Sequence, residues 1–94
     1  MAPKVRTSVQ NADASITSTE SRVYWIIASA AGTGGAFQLN DSTDDSGTDL
    51  VSAIVGANTG PHFMDFSNAP IQFNTGIRAD IPGTNVTITV GYTA

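Results

Sequence analysis

Alternation of apolar and polar residues with a period of two is the main pattern along this chain. It is clearest near the end, where Val86, Ile88, Val90 and Tyr92 alternate with three threonines and a glycine. Such alternation predicts a strand with one buried face and one threonine-rich face. No stretch of eleven or more residues has apolar side chains at helical spacing, and valine and isoleucine together number fifteen against two leucines. The pattern therefore predicts an all-β chain.

Residues 22–30 have a different pattern, because both sides of the predicted strand are apolar. In a regular strand one face would carry Val23, Trp25 and Ile27, and the other would carry Tyr24, Ile26 and Ala28. A strand of this kind is central in its sheet and is covered on both sides. We expect the second cover to be another subunit.

Turn-forming residues interrupt the rest of the chain at short intervals, which leaves room only for short strands. We expect strands at 5–10, 14–19, 22–30, 36–40, 48–56, 61–66, 71–73 and 76–81, and a last one from residue 86. Eight or nine short strands in 94 residues predict a compact antiparallel β-sandwich, in the form of a small jelly roll. We expect residues 1–13 to be an N-terminal arm or edge strand and residues 14–94 to be the sandwich domain.

The composition adds that the surface is short of charge. Charged residues are 13% of the chain, against about 25% in ordinary soluble domains, and Thr, Ser, Ala and Gly make up 42 of the 94 residues. The chain has no cysteine, so no disulfide supports its thin core. These features predict a homo-oligomer in which neighbouring subunits complete the burial.

The charge balance argues against two classes of partner. The net charge is -4, and the only basic side chains are Lys4, Arg6, Arg22 and Arg78. They do not provide the basic patch that binds a phosphate backbone, so we expect no nucleic-acid partner. The longest uncharged apolar run covers nine residues, 23–31, and no secretion signal precedes it. We therefore expect no membrane partner and synthesis in the cytoplasm.

One segment has enough carboxylates to suggest a cation. Asp41, Asp44, Asp45 and Asp49 lie within nine residues, and calcium prefers several oxygen ligands on a tight loop. The segment does not fit the EF-hand pattern, in which Gly and Glu stand where this chain has Ser46 and Ser52. We expect a hairpin turn whose aspartates accept hydrogen bonds from backbone amides and whose Gly47 has a positive φ. A calcium site formed by the four aspartates is the alternative.

Two other features resemble catalytic or phosphate sites but have simpler explanations. His62, the only histidine, lies three residues from Asp65 in a predicted strand, so the two side chains point to opposite faces and cannot form a dyad. The glycine-rich loop at 32–35 leads into a predicted strand rather than a helix, so we expect a hairpin loop that binds no phosphate. We expect no catalytic residue and no cofactor.

Tyr24 and Trp25 raise the alternative of a sugar-stacking surface. Adjacent residues in a strand face opposite ways, so only one of these rings can lie on a given face. Packing in the core or at an interface explains the same aromatics. Glycan binding is therefore kept as an alternative function.

Several segments follow one another in a characteristic order. Arg-Val-Tyr-Trp-Ile-Ile at 22–27 precedes a small-residue loop, and Phe-Gln-Leu-Asn-Asp at 37–41 and Ser-Gly-Thr-Asp-Leu at 46–50 follow. Later come Pro-Ile-Gln-Phe-Asn-Thr-Gly-Ile at 70–77 and Val-Thr-Ile-Thr-Val-Gly-Tyr at 86–92. This order, over about three quarters of the chain, resembles small β-sandwich structural proteins of tailed bacteriophage virions.

The resemblance implies a non-catalytic virion protein, made in the host cytoplasm. Its expected role is to decorate and cement the head shell as a trimer, with the major capsid protein or other virion proteins as partners. A tail, head-fibre or baseplate subunit is the first alternative, and a glycan-binding module is the second. We expect the contacts with neighbours to involve Lys4, Arg6, Tyr24, Trp25 and Ile26.

Overall fold

The structure, a computed structural model, describes residues 4–83 and 85–94. These residues form nine strands, each within two residues of its predicted bounds at either end: β1 (Arg6–Gln10), β2 (Ala14–Thr17), β3 (Ser21–Ala30), β4 (Gly35–Asp41), β5 (Thr48–Val55), β6 (His62–Asp65), β7 (Ile71–Phe73), β8 (Ile77–Asp80) and β9 (Val86–Thr93). The prediction of an all-β chain is confirmed. The described residues contain no helix long and apolar enough to cross a membrane.

The strands form two antiparallel sheets. The larger sheet has the order β1-β9-β3-β6, with β7 also paired to β3, and the smaller sheet has the order β2-β8-β4-β5. β6 and β7 pair with successive segments of β3, so together they act as one interrupted strand. Counting them once gives eight strands, four in each sheet, with the chain passing between the sheets as in a jelly roll. The predicted sandwich is confirmed.

The core lies between the sheets. On β9, Val86, Ile88 and Val90 are fully buried, while Thr87 and Thr89 lie on the other face, as the alternation predicts. The largest side chains opposite them, Phe37 and Leu39 on β4, are also fully buried. This arrangement leaves two outer faces, one on each sheet, where a functional site must be sought.

A β-bulge in β3 changes which of its side chains face outward. Val23 pairs with Tyr92 and Trp25 pairs with Gly91, so Tyr24 is an extra residue with no partner of its own in β9. Such an extra residue shifts the alternation of side chains by one position.

As a result, the predicted division of β3 into two faces is wrong. Val23, Ile26 and Ala28 are all buried in the core, whereas Trp25 and Ile27 are only partly buried and lie on the outer face. The prediction assumed a regular strand, and the apolar pattern contains no sign of the bulge. β3 is nevertheless central, because it lies between β9 and the pair β6 and β7.

The glycine-rich loop after β3 is not the predicted hairpin loop. β3 belongs to the larger sheet and β4 to the smaller one, so the loop carries the chain from one layer to the other. Gly32 and Gly34 have φ values of 57° and 77°, a backbone conformation that residues other than glycine rarely adopt. The glycines therefore serve the crossover between sheets.

The aspartate-rich segment at 41–49, called the acidic loop below, does connect a hairpin, because β4 and β5 pair with each other. The predicted positive φ at Gly47 is wrong, since the positive-φ glycines of the described residues are Gly32 and Gly34. Gly47 is needed for a different reason. A Cβ atom at this position would lie 2.5 Å from the Asp41 carbonyl oxygen and from the Ser42 Cβ, so the loop could not close so tightly.

The N-terminal segment contributes an edge strand. β1 pairs with β9 over five residues and forms one edge of the larger sheet. Of the two forms expected for residues 1–13, residues 6–10 thus take the edge-strand form. Residues 1–3 of the same segment lie outside the described residues, as does residue 84 of the sandwich domain.

Candidate functional site

The four aspartates of the acidic loop have different hydrogen-bond partners, and those of Asp41 and Asp44 are in turns. Asp41 Oδ1 accepts hydrogen bonds from the backbone amides of Thr75, at 2.7 Å, and Gly76, at 3.4 Å. These bonds, with Thr75 contributing most, lower the pKa of Asp41. Asp44 Oδ1 accepts hydrogen bonds from the Ser46 hydroxyl, at 2.5 Å, and the Ser46 amide, at 2.8 Å, and they lower the pKa of Asp44. Both carboxylates act as acceptors that hold turns together.

The other two aspartates point elsewhere. Asp49 lies beside Asn40, whose amide nitrogen is placed to donate to the Asp49 carboxylate and to the Gly47 carbonyl oxygen, the latter at 3.1 Å. Asp45 accepts a hydrogen bond from Arg78 Nε at 2.9 Å. The alternative calcium set of Asp41, Asp44, Asp45 and Asp49 is therefore not assembled, because each carboxylate has its own partner.

The structure instead brings Asp45 together with two distant aspartates. One carboxylate oxygen each from Asp13, Asp45 and Asp80 lies within 4.8 Å of the others. Asp13 Oδ1 also accepts a hydrogen bond from the Ile81 amide at 2.7 Å, which lowers the pKa of Asp13. The pKa of Asp80 is raised, first by partial burial and then by the negative charges of Asp13 and Asp45. Sequence reasoning missed Asp13 and Asp80, which become neighbours only through the pairing of β2 with β8.

Three carboxylates in this arrangement would offer oxygen ligands to a hard divalent cation. Arg78, however, already lies beside them and supplies a positive charge. Its hydrogen bond to Asp45, together with the nearby charges of Asp45, Asp13 and Asp44, raises the pKa of Arg78. The cluster is thus a surface ion-pair group on the outer side of the smaller sheet.

An apolar cleft of about 300 Å³ opens between β5 and β6, where the edges of the two sheets approach each other. It is lined by residues that include Phe37, Ala53, Val55, Met64 and the exposed His62. Along β6, Met64 packs against the core while Phe63 and Asp65 face outward. His62 and Asp65 therefore lie on opposite faces, as their spacing predicts.

The five expected contact residues have very different exposure. Lys4 and Arg6 are exposed, at or just before the start of the edge strand β1. Tyr24 and Trp25 are partly buried, so each retains some surface. Ile26 is fully buried in the core and cannot touch a partner directly, so its assignment as a contact residue is wrong. The cause is again the bulge at Tyr24, which turns Ile26 inward.

Trp25 lies flat on the outer face of the larger sheet. A Cβ atom built on Gly91, the residue paired with Trp25, would lie 2.5 Å from the indole Cδ2 and Nε1 atoms. The indole therefore covers the backbone of Gly91, and only a residue without a side chain fits beneath it. The ring of Phe63, which is 57% exposed, lies beside it, with the ring centroids 6.1 Å apart and the planes inclined by 42°.

Polar residues lie at both ends of the cross-strand row that contains Trp25. Asp65 on β6 is directly opposite Trp25, and Thr7 on β1 is directly opposite Gly91. Residues paired in register share a face, so the row from Thr7 to Asp65 crosses the outer face of the sheet. Hydrogen bonds from the hydroxyl and the amide of Ser67 lower the pKa of Asp65, so the carboxylate is ionised at neutral pH.

Comparison of the chain with protein-family models, with curated protein sequences and with solved structures finds no match. A function must therefore be argued from the residues and from their geometry.

Proposed function

We propose that this chain is a non-catalytic structural subunit of a tailed-phage virion that decorates and cements the head shell. The observation that carries this proposal is the exposure of large apolar side chains on two free sheet edges. Ile54 on β5 is 86% exposed and Val9 on β1 is 65% exposed. Free edges with apolar side chains pair readily with other chains, and monomeric proteins usually protect them with charge.

The two edges suit different kinds of contact. β5 is eight residues long, and from Leu50 to Val55 it has no charged residue. β1 is preceded by Lys4 and begins with Arg6, so it presents positive charge to a partner. A homotrimer joined through one edge, with the other edge on the capsid shell, would use both. The resemblance of residues 22–92 to small phage structural proteins favours the same assignment.

The position of the protein on the particle is the first test. Electron micrographs of virions labelled with gold-conjugated antibody should show label distributed over the head. Quantitative mass spectrometry of the same particles should give hundreds of copies, because a cement protein repeats with the capsid lattice. Label confined to the tail, with tens of copies or fewer, would favour a tail, head-fibre or baseplate subunit and would reject the cement role.

A second test addresses the contact made by β1. Exposed charges contribute less than about 1 kcal/mol each, so Lys4→Ala combined with Arg6→Ala should weaken capsid binding modestly and make it less sensitive to salt. Deletion of residues 1–10 should reduce binding much more, because it removes the whole edge strand that pairs with β9. Capsid occupancy across a salt series measures both effects. If the deletion variant decorates heads as fully as the intact chain, β1 is not the anchor.

A further inference from the structure

The outer face of the larger sheet presents a supported aromatic surface around Trp25, a residue that is also expected at contacts with neighbours. Trp25, the only tryptophan of the chain, rests on the backbone of Gly91. One face of its indole therefore packs against β9, and the side chain is only partly buried, so part of the ring is open to solvent. An aromatic ring held in this way needs no rearrangement to receive a flat ligand, which lowers the cost of binding.

Phe63 limits the shape of a ligand that fits this surface. Its ring is inclined by 42° to the indole at a centroid distance of 6.1 Å, so the two rings form a shallow angle rather than one plane. That distance is comparable to the span of one pyranose ring with its hydroxyl groups. The C–H groups on one side of a pyranose make an apolar face that stacks on an aromatic ring, while its hydroxyls stay at the rim.

The polar side chains beside the aromatic rings can form hydrogen bonds with the hydroxyl groups of a sugar. Asp65 is paired with Trp25 across the strands, and its Oδ1 accepts a hydrogen bond of 2.9 Å from the Ser67 amide. An ionised carboxylate makes strong hydrogen bonds to neighbouring hydroxyl groups of a ligand. Thr7, at the other end of the row, adds an exposed hydroxyl that can both donate and accept.

We propose that Trp25, Phe63 and Asp65 form a binding site for a neutral pyranose of a glycan, with the sugar ring stacked on the indole and its hydroxyls bonded to Asp65. Nucleobases also stack on aromatic rings, but the phosphates that accompany them are repelled by Asp65 and by a net charge of -4. Acidic sugars are disfavoured for the same reason. The site is independent of whether the chain decorates a phage head.

Fluorescence of Trp25 provides a direct assay, because no other tryptophan contributes to the signal. The purified chain is titrated with methyl α-D-glucopyranoside, methyl α-D-mannopyranoside, methyl β-D-galactopyranoside and N-acetylglucosamine, each up to about 100 mM. At least one sugar should change the emission saturably, with a dissociation constant on the order of 1–10 mM, as expected for a ligand of this size on an open surface.

Two variants and two controls test the assignment of residues. Phe63→Ala and Asp65→Asn should each weaken binding by about tenfold or more. Phe63 is exposed, so its removal should leave the fold intact, and circular dichroism checks this for both variants. Ile54→Ala removes an even more exposed apolar side chain from the other sheet, and Glu20→Gln removes an exposed carboxylate away from the aromatic pair. Both controls should bind the sugar as the unaltered chain does.

Three results would overturn the proposal. The first is the absence of a saturable response to all four sugars. The second is unchanged affinity in both Phe63→Ala and Asp65→Asn. The third is an emission shift that depends on protein concentration without sugar, because it would show that a second copy of the chain covers the indole.

Discussion

The close packing of Trp25 on Gly91 predicts that Gly91→Ala destabilises the protein. A Cβ atom at residue 91 would overlap the indole, with Cδ2 and Nε1 each 2.5 Å away and Cε2 closer still. The atoms below are backbone of β9, so the indole must move. Its displacement would expose the tryptophan and disturb the bulge at Tyr24, the residue before it.

The size of the effect follows from two opposing contributions. Extra volume in a well-packed place costs about 1–3 kcal/mol. Replacing glycine by alanine also restricts the unfolded chain, which stabilises the protein by about 0.4–1 kcal/mol. The net loss should be about 1–2 kcal/mol, which corresponds to a fall in Tm of roughly 5–15 °C for a domain of this size.

Urea unfolding followed by Trp25 fluorescence measures both the free energy of unfolding and the environment of the indole in the folded state. Gly60→Ala is the matched control, because no heavy atom lies within 4 Å of a Cβ atom built there and its φ lies outside the left-handed region. We expect Gly60→Ala to be neutral or slightly stabilising. In a Trp25→Ala background, where unfolding is followed by circular dichroism because no tryptophan is left, the cost of Gly91→Ala should disappear, since the overlapping ring is gone.

The reasoning would be refuted by a Gly91→Ala protein that is as stable as Gly60→Ala and has unchanged emission. It would also be refuted if the cost of Gly91→Ala were the same with and without Trp25. In either case the indole would not rest on β9.

Four further predictions concern the carboxylates and the core. The pKa of Asp80 is raised in the folded state, so the free energy of unfolding falls as the pH rises through that pKa and the side chain ionises. Asp80→Asn should therefore raise Tm at about pH 7 and have little effect at about pH 3. The pKa of Asp41 is lowered, so Asp41→Asn should lower Tm at about pH 7, and this loss should vanish as the pH falls. If either substitution changed Tm equally at about pH 7 and about pH 3, the pKa shift assigned to that residue would be contradicted. Phe37→Ala, at a fully buried site, should cost about 3–5 kcal/mol in urea unfolding, whereas Phe63→Ala, at an exposed site, should cost under about 1 kcal/mol. Calcium at about 1 mM should leave Tm unchanged, and a rise of several degrees that Asp13→Asn abolishes would instead identify a metal site at Asp13, Asp45 and Asp80.

The strands could be predicted from the sequence because their signals are local. The alternation from Val86 to Tyr92 depends only on neighbouring residues, and turn residues mark where each short strand ends. The fold class then follows, since many short strands in a small chain can bury their apolar faces only by stacking two sheets.

The details that the sequence did not provide all depend on contacts between distant segments. The bulge at Tyr24 exists only relative to its partner strand β9, and it alone decides that Trp25 faces outward and Ile26 inward. A glycine-rich loop has the same sequence pattern in a hairpin and in a crossover between sheets, so the sequence does not distinguish the two connections after β3. The meeting of Asp13 with Asp80 requires the register of β2 against β8.

The few charged residues of the chain are unevenly distributed between the two sheets. Asp13, Asp45, Asp80 and Arg78 gather on the outer side of the smaller sheet, where they form the ion-pair group. On the larger sheet, the outward positions of β9 are threonines and Gly91, beneath the indole of Trp25. A strand directs successive residues to opposite faces, so the chain can gather most of its acidic side chains on one layer, whereas the strands of the other layer hold Asp65 together with Arg6 and Arg22. An acidic layer repels its own copies, whereas a layer of mixed charge does so less. The two outer faces are therefore unequal, and a neutral ligand meets the lower desolvation cost on the face that holds Trp25.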